Sequence, residues 1–183
     1  MARSAKMDAV TLLKTDHRKV EDLFESFEKA RGADRKEKLV KQICTELTIH
    51  TMIEEEIFYP ACTGEIEDNT VDEAYVEHDG AKVLISELLK SDPSNEFYDA
   101  KVKVLSEMIK HHVKEEEQRS EGMFAQAKKA GLDLEALGEQ LMQRKQELKE
   151  EFEDGDNLPT PETRSYTGHE LQQGKRIEAA EAD

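Results

Sequence analysis

The chain has 183 residues, a formal net charge of −16 and a pI near 4.8, with apolar and charged fractions of 37% each. This length suits one domain with room for a tail, and so acidic a surface repels phosphates and anionic lipid, so we expect neither nucleic acid nor a membrane as partner. Cys44 and Cys62 are too few for a disulfide framework, and no apolar run suffices for a secretory signal or a membrane span. We therefore expect a reduced, cytoplasmic protein.

Two helices are predicted in the first 60 residues. Residues 8 to about 30 carry apolar side chains at helical spacing, and Gly32 follows as a stop. Asp34 with Glu37 three residues later resembles a capping box, which would open a second helix that runs to Pro60.

A third and a fourth helix are predicted after a loop at residues 61–69. Thr70 with Glu73 repeats the capping-box pattern and would open a helix to about residue 90. The pair Asp92 and Pro93 offers an N-cap and a first-turn proline for a fourth helix, which would extend to about residue 130.

A shorter fifth helix is predicted from Asp133 to near Phe152. Residues 154–183 carry many charges and little apolar periodicity, which predicts a disordered acidic tail that is dispensable and whose His169 takes no part in a site. Short loops between long helices favour antiparallel neighbours. The predicted fold is therefore all-α, an up-down-up-down four-helix bundle in residues 1–153 with the fifth helix packed outside.

The apolar stripes of two predicted helices lead directly into possible metal ligands. In the second helix the stripe has spacings of three and four residues, and its members are Val40, Ile43, Leu47, His50 and Glu54. The fourth helix repeats these spacings 62 positions later, with Val102, Leu105, Ile109, His112 and Glu116. Because such spacings keep side chains on one helix face, each helix places a histidine and a glutamate at core positions.

The first and third helices contain a looser repeat. His17 and His78, 61 positions apart, are each followed by apolar residues at the same three offsets, so the chain resembles a duplicated helical hairpin. Four histidines and two glutamates in one core would be strongly destabilising without a bound metal. Imidazole and carboxylate together suit iron, manganese or zinc. Shared between two ions, these groups leave room for an oxo or hydroxo bridge and an external ligand, which favours two metals over one.

These motifs resemble the hemerythrin HHE cation-binding family over about residues 8–130, including the aromatic and proline, Tyr59 and Pro60, that end the second helix. The resemblance implies a non-haem di-iron centre that takes part in oxygen, nitric oxide or peroxide chemistry. Its implied ligands are His17, His50, Glu54, His78, His112 and Glu116. It also implies two irons as cofactor, bridged by oxo or hydroxo, with zinc or manganese as alternatives, and a small diatomic or peroxide ligand.

The chain departs from the oxygen carriers of this family at two places. Carriers have a second histidine one turn from the position of His78, whereas this chain has Ala74 and Lys82 there. The fourth helix continues as Gln118-Arg119-Ser120 instead of reaching an aromatic residue and proline. These departures argue against reversible oxygen carriage and favour a sensor, redox or metal-handling role.

Several neighbours of the implied ligands have other expected positions. Glu55 is a candidate acceptor behind the ligands, Tyr59 is expected to pack at the end of the site or donate a hydrogen bond near the metals, and His111 is expected at the surface or behind the ligands. His111 would replace His112 as a ligand if the fourth helix were rotated. Three further glutamates are expected to face solvent: Glu56, Glu115 and Glu117.

Three functions follow as hypotheses. The first is a di-iron protein that senses or reacts with oxygen, nitric oxide or peroxide. The second is an enzyme that consumes peroxide or another small oxidant at the open iron positions. The third is a structural or interaction bundle with zinc or a degenerate site. The sequence indicates no particular protein partner for any of the three.

Overall fold

The computed structural model describes residues 7–152, 155 and 157–166, and every regular element among them is helical. In chain order the elements are α1 (Ala9–Lys29), α2 (Ala33–Ile53), a π-helical turn (Glu54–Phe58), α3 (Tyr59–Cys62), α4 (Asp68–Leu89), α5 (Tyr98–Glu117), α6 (Met123–Ala130) and α7 (Leu134–Phe152). α1 and α4 each pack against both α2 and α5, which forms the four-helix bundle. The predicted fold class is confirmed. Within the described chain, no helix combines the length and apolarity needed to cross a bilayer.

α1 begins at a side-chain cap, and α2 begins after a glycine with a positive φ angle. α1 starts as predicted, because the carboxylate of Asp8 accepts a hydrogen bond of 2.8 Å from the backbone N–H of Thr11. α2 starts one residue before the predicted Asp34, directly after Gly32, whose φ of 83° lies in the left-handed region. None of the described side chains caps α2, so the capping box predicted there is wrong. Asp34 instead lies in the first turn, where its charge suits the positive end of the helix dipole.

The second predicted capping box is also wrong. α4 begins at Asp68, two residues before Thr70, and no side chain in the described part of the protein caps it. The hydroxyl of Thr70 instead accepts a hydrogen bond of 3.2 Å from the side-chain amide of Gln126 in α6. The Thr70 hydroxyl, which the capping-box pattern assigned to the helix start, therefore joins α4 to α6 instead.

The fourth predicted helix is divided into two. Asp92 accepts from the backbone N–H of Ser94 at 2.8 Å and so stabilises a turn, and α5 begins only at Tyr98. α5 ends at Glu117, and α6 resumes the helix after Gly122. A Cβ at Gly122 would lie 2.6 Å from the carbonyl oxygen of Glu116, so only glycine lets the chain fold back this closely on the end of α5.

α7 lies outside the bundle, as predicted, against α1, α2 and the π-helical turn. The carboxylate of Asp133 accepts from the backbone N–H of Ala136 at 3.0 Å and begins the helix where the sequence indicated. Gly138 allows the close approach to α1, because a Cβ there would lie 2.3 Å from the carbonyl oxygen of Met7.

The buried apolar residues form two clusters with a polar layer between them. The upper cluster, around Leu13, Ile53 and Phe58, joins α1 and α2 to the π-helical turn, α6 and α7. The lower cluster, around Val20, Leu47 and Leu105, fills the other end of the four-helix bundle. In α1 and α4, the ligand histidine lies between residues of the upper cluster and residues of the lower cluster. Water is thereby excluded from both ends of this polar layer.

Part of the predicted tail packs on the bundle. Leu158 is partly buried against both apolar clusters, and the backbone N–H groups of Arg164 and Ser165 donate to Asp79 of α4 at 2.8 and 2.6 Å. The domain boundary itself stays a prediction. Residues 153, 154, 156 and 167–183, with His169, lie outside the described residues.

Candidate metal centre

The four implied histidine ligands lie in two pairs, one from each helical hairpin. The Nε2 atoms of His17 in α1 and His50 in α2 are 3.1 Å apart. Those of His78 in α4 and His112 in α5 are also 3.1 Å apart. We call these the first and the second histidine pair. Two facing ring nitrogens share at most one hydrogen, so each pair presents at least one lone pair to the interior.

The two implied carboxylates lie between the histidine pairs. Glu54 Oε2 is 3.2 Å from His50 Nε2 and 3.4 Å from His78 Nε2. Glu116 Oε2 is 3.3 Å from His17 Nε2, and its Oε1 is 3.5 Å from His112 Nε2. Each carboxylate therefore reaches one histidine of each pair, which is the placement that a group bridging two ions requires.

These six side chains are buried, with exposures between 0% and 5%. Among the residues that the structure describes, Glu54 Oε1 is fully buried and has no hydrogen-bond partner. A buried polar atom without a partner is costly unless a bound ion completes it. The atoms cluster into two groups of possible ligands that share Glu54: His17, His50, Glu54 and Glu116 in one, and Glu54, His78 and His112 in the other. Such buried clusters of imidazole and carboxylate indicate a metal-binding site.

The two buried carboxylates have opposite pKa shifts. Burial, together with the charge of Glu116, raises the pKa of Glu54 well above its usual value. Burial also disfavours ionised Glu116, but the surrounding histidines, His112 first, outweigh it and lower the pKa of Glu116 to about 2. Without metal, the pair therefore holds a proton on Glu54 and a negative charge on Glu116.

The histidines also differ in protonation. Burial alone would lower the pKa of His17, but hydrogen bonds and charges from Glu116 and Glu117 outweigh it and raise that pKa to about 9. Burial and the neighbouring His112 lower the pKa of His78 well below its usual value. At neutral pH the metal-free site therefore carries a positive charge on His17 and a neutral His78.

Each of the four histidines turns its Nδ1 toward a carboxylate. The distances are 2.8 Å for His17 and Glu117, 3.7 Å for His50 and Asp16, 3.0 Å for His78 and Glu55, and 2.7 Å for His112 and Glu77. At His17, His78 and His112 this distance is that of a hydrogen bond, and a neutral histidine whose Nδ1–H donates to a carboxylate keeps its lone pair on Nε2, which faces the interior. This is the tautomer that a metal ligand needs.

The four carboxylates behind the histidines also repeat along the sequence, and of these only Glu55 was expected there. Asp16 and Glu77 each directly precede a histidine of the site and are 61 positions apart. Each faces the Nδ1 atom of the other histidine in its own hairpin. Glu55 and Glu117 each directly follow an implied glutamate ligand and are 62 positions apart. Each of these serves a histidine of the other hairpin. The internal duplication therefore extends to the groups behind the ligands.

The structure places the other flagged residues as follows. Glu55 lies behind His78, as the sequence indicated, and His111 is exposed beside Glu77. The prediction for Glu117 is wrong, because it is only partly exposed and accepts from His17. Glu56 pairs with Arg144 on the outside of the bundle, and Glu115 is exposed.

Tyr59 lies at the centre of the polar layer. Its hydroxyl is 3.0 Å from His78 Nε2, 3.1 Å from Glu116 Oε1, and 3.4 Å from both Glu54 Oε2 and His112 Nε2. The π-helical turn places it there, since the backbone N–H of Tyr59 donates to the carbonyl of Glu54, five residues earlier. Such turns insert one residue into a helix and are frequent at functional sites.

Comparison with known proteins agrees with this geometry. The family model described as Hemerythrin HHE cation binding domain matches residues 8–124. A crystal structure of a hemerythrin HHE cation binding domain-containing protein, the Rv2633c homolog from Mycobacterium kansasii, is similar to this chain in fold. The TM-score is 0.67 at 23% identity, over 80% of this chain and 92% of that one.

A second relative is much longer than this chain. A protein described as a DNA nickase from Nostoc sp. (strain PCC 7120 / SAG 25.82 / UTEX 2576) is 27% identical over 111 residues. The match covers 61% of this chain and 32% of the relative, so this chain spans about a third of the length of that protein.

The family match covers more than half of the chain, and the polar layer contains the residues of the motif. The chain therefore belongs to the hemerythrin HHE cation-binding domain family.

Proposed function

We propose that the chain is a non-haem di-iron protein that senses or reacts with oxygen, nitric oxide or peroxide. The observation that carries this proposal is the position of the two buried carboxylates, each within 3.5 Å of one histidine from each pair. A site for a single ion would not need two histidine pairs that share both carboxylates.

The proposed ligands fit two ions with open positions. They are the six residues of the sequence motif: His17, His50, Glu54, His78, His112 and Glu116. Four imidazoles and two bridging carboxylates supply roughly four bonds to each ion, fewer than the six of an octahedral site. When bound, an iron pair supplies redox chemistry toward small oxidants at these open positions.

The protein contributes orientation, a dry interior and a proton. The carboxylates behind the histidines fix the ring orientations, and the apolar clusters on either side exclude water. The hydroxyl of Tyr59 can donate its hydrogen into the centre of the site. Burial and the charge of Glu116 raise the pKa of Tyr59 well above its usual value, so this hydroxyl keeps its proton at neutral pH.

The surroundings of His78 support a reactive centre over a reversible oxygen carrier. Lys82 lies one turn beyond His78, and its ammonium group donates to Glu55 at 2.7 Å and to Asp79 at 3.4 Å. An ammonium has no lone pair to offer a metal. Ala74, one turn before His78, has no ligand atom. Neither position can supply an additional histidine-type ligand.

The activity in the name of the DNA nickase does not transfer to this chain in our proposal. The chain spans about a third of that protein, and its net charge of −16 opposes contact with a phosphate backbone. The alignment supports only the shared domain.

The function can be tested by reactivity of the iron-loaded protein. Metal-free protein would be loaded with Fe²⁺ under anaerobic conditions and mixed with oxygen, nitric oxide or peroxide while its optical spectrum is recorded. We expect two irons per chain and a spectral change with each reactant. We expect His50→Ala to lose both, and His111→Ala, which changes an exposed histidine, to keep both. A spectrum that none of the three reactants changes would contradict the proposal, and repeated turnover of peroxide would favour an enzyme over a sensor.

A further inference from the structure

Two basic residues outside the family match reach carboxylates behind the metal centre. The match ends at residue 124, and Lys145 of α7 and Arg164 of the following segment lie beyond it. Lys145 forms an ion pair with Asp16, and Arg164 forms one with Glu55. These two carboxylates face one histidine of the first pair and one of the second.

The contact of Lys145 lies behind the first histidine pair. One oxygen of Asp16 pairs with the ammonium of Lys145, and the other lies 3.7 Å from His50 Nδ1. The side chain of Asp16 is 6% exposed and that of Lys145 is 12% exposed. A carboxylate buried to this degree requires a paired cation to remain in place. Lys145 thereby holds Asp16 against His50.

The contact of Arg164 lies behind the second histidine pair and is part of a larger network. Glu55 accepts from His78 Nδ1 at 3.0 Å and also pairs with Lys82 and Arg164. The segment around Arg164 is fixed independently, because its backbone N–H donates to Asp79 and Lys82 donates to the carbonyl of Glu162 at 2.9 Å.

The other two carboxylates behind the histidines differ from these. The side chains of Glu117 and Glu77 are 21% and 26% exposed, against 6% for Asp16 and 5% for Glu55. Glu117 pairs with Arg18 of α1, and Glu77 lies 3.2 Å from His111 of α5, so both find partners within the four-helix bundle. Lys145 and Arg164 thus pair with the two more deeply buried carboxylates.

We infer that Lys145 and Arg164 are positioning residues of the metal centre, each acting through a buried carboxylate on one histidine of a different pair. This inference rests on the metal centre proposed above. Residues beyond the family match then influence both halves of the site separately. Changing a group that orients a ligand histidine lowers metal affinity by about 10- to 100-fold. Lys145 and Arg164 lie one contact further from the metal than such a group. We expect Lys145→Met to lower metal affinity about tenfold, and Arg164→Met to lower it less because Lys82 still holds Glu55.

The test is a Co²⁺ titration of the metal-free full chain, with affinities measured by competition with a chelator. His112→Ala disables the second pair, so the remaining ion reports on the first pair. In that background we expect Lys145→Met to weaken Co²⁺ binding about tenfold and Arg164→Met to leave it unchanged. His17→Ala disables the first pair, and there we expect only Arg164→Met to weaken binding. In the otherwise unchanged chain, each variant should weaken one of two binding steps.

Two controls separate positioning from general loss of stability. Arg144→Met removes the basic residue next to Lys145, which pairs with Glu56 on the outside of the bundle, and should leave both affinities unchanged. Lys145→Arg keeps the charge and should restore most of the affinity lost in Lys145→Met. Metal-free Lys145→Met should have a lower thermal midpoint than Arg144→Met, because it leaves Asp16 buried without its cation, so the affinities are compared at a temperature where every variant is folded.

The outcomes are distinct. If Lys145→Met and Arg164→Met bind Co²⁺ as tightly as Arg144→Met does, the inference is wrong and the metal centre stands. The same holds if each variant weakens Co²⁺ binding equally in both backgrounds. If the unchanged chain fails to bind two Co²⁺ ions, the proposed di-metal centre is wrong and this inference falls with it.

Discussion

The two helical hairpins, α1 with α2 and α4 with α5, carry the same ligand types at nearly the same spacing but surround them differently. Each hairpin supplies two histidines, one glutamate and two carboxylates behind the histidines. After its glutamate, the first hairpin makes a π-helical turn that places Tyr59 in the site. In the second hairpin the position 62 residues later is Glu121, which is exposed in the break after α5.

This difference shows that duplication repeats the ligands but not their electrostatic environment. Burial and the charges of Glu116 and Asp16 raise the pKa of Glu54, whereas the neighbouring histidines, His112 first, outweigh burial at Glu116 and lower its pKa. A metal site built from two similar halves can therefore have two unequal ions, and the following predictions test that inequality.

The largest expected effect is loss of metal on removal of a bridging carboxylate. Glu54 belongs to both groups of possible ligands and Glu116 to one, so Glu54→Ala should lose nearly all metal and Glu116→Ala at least half of it. Glu56→Ala and Glu115→Ala should keep the metal content of the unchanged protein, because those side chains face outward. Metal analysis after purification checks this. Equal losses at Glu54 and Glu56 would mean that the described register of the π-helical turn is wrong.

The pH dependence of stability should reveal the charged His17 of the first hairpin. Its pKa rises from 6.5 to about 9 on folding, so its stabilising contribution is complete below pH 6.5 and is lost as pH rises through about 9. Metal-free protein should therefore lose stability between pH 6.5 and 9.5, and His17→Gln should lose less over that interval. Urea unfolding at several pH values measures this. The control is His111→Gln, which changes an exposed histidine. If the unfolding free energy of the unchanged protein fell with pH no more steeply than that of His17→Gln, the assignment would be refuted.

A smaller effect is expected from the hydroxyl that only the first hairpin provides. Tyr59→Phe removes a buried hydroxyl from among four polar neighbours and should destabilise the metal-free protein by about 1 to 3 kcal/mol. The metal count should not change, because the six proposed ligands remain. Chemical unfolding and metal analysis of the same preparation test both statements, and a variant that loses one ion would make Tyr59 a ligand.

Helical periodicity was sufficient to predict the fold class and which histidines and glutamates meet. The stripes that end in His50 with Glu54 and in His112 with Glu116 lie on single helix faces, so local spacing determines their direction. The helix starts at Asp34 and Thr70 were mispredicted because Gly32 and Gln126 decide the local geometry there.

The groups behind the ligands could be predicted only in part. Asp16 and Glu77 repeat at the spacing of the duplication, but their partners lie on a neighbouring helix, which periodicity does not identify. The contact of Arg164 with Glu55 joins residues 109 positions apart through polar groups. Apolar periodicity carries no information on such a polar contact, and the sequence alone therefore indicated a tail without contacts.

The most direct test of the central claim is metal quantification of freshly purified protein together with its optical spectrum before and after reduction. The account predicts two irons per chain and a ferric charge-transfer absorption in the near ultraviolet that is lost on reduction. His50→Ala should show neither, while His111→Ala should show both. One zinc per chain, with no absorption that changes on reduction, would contradict the di-iron centre.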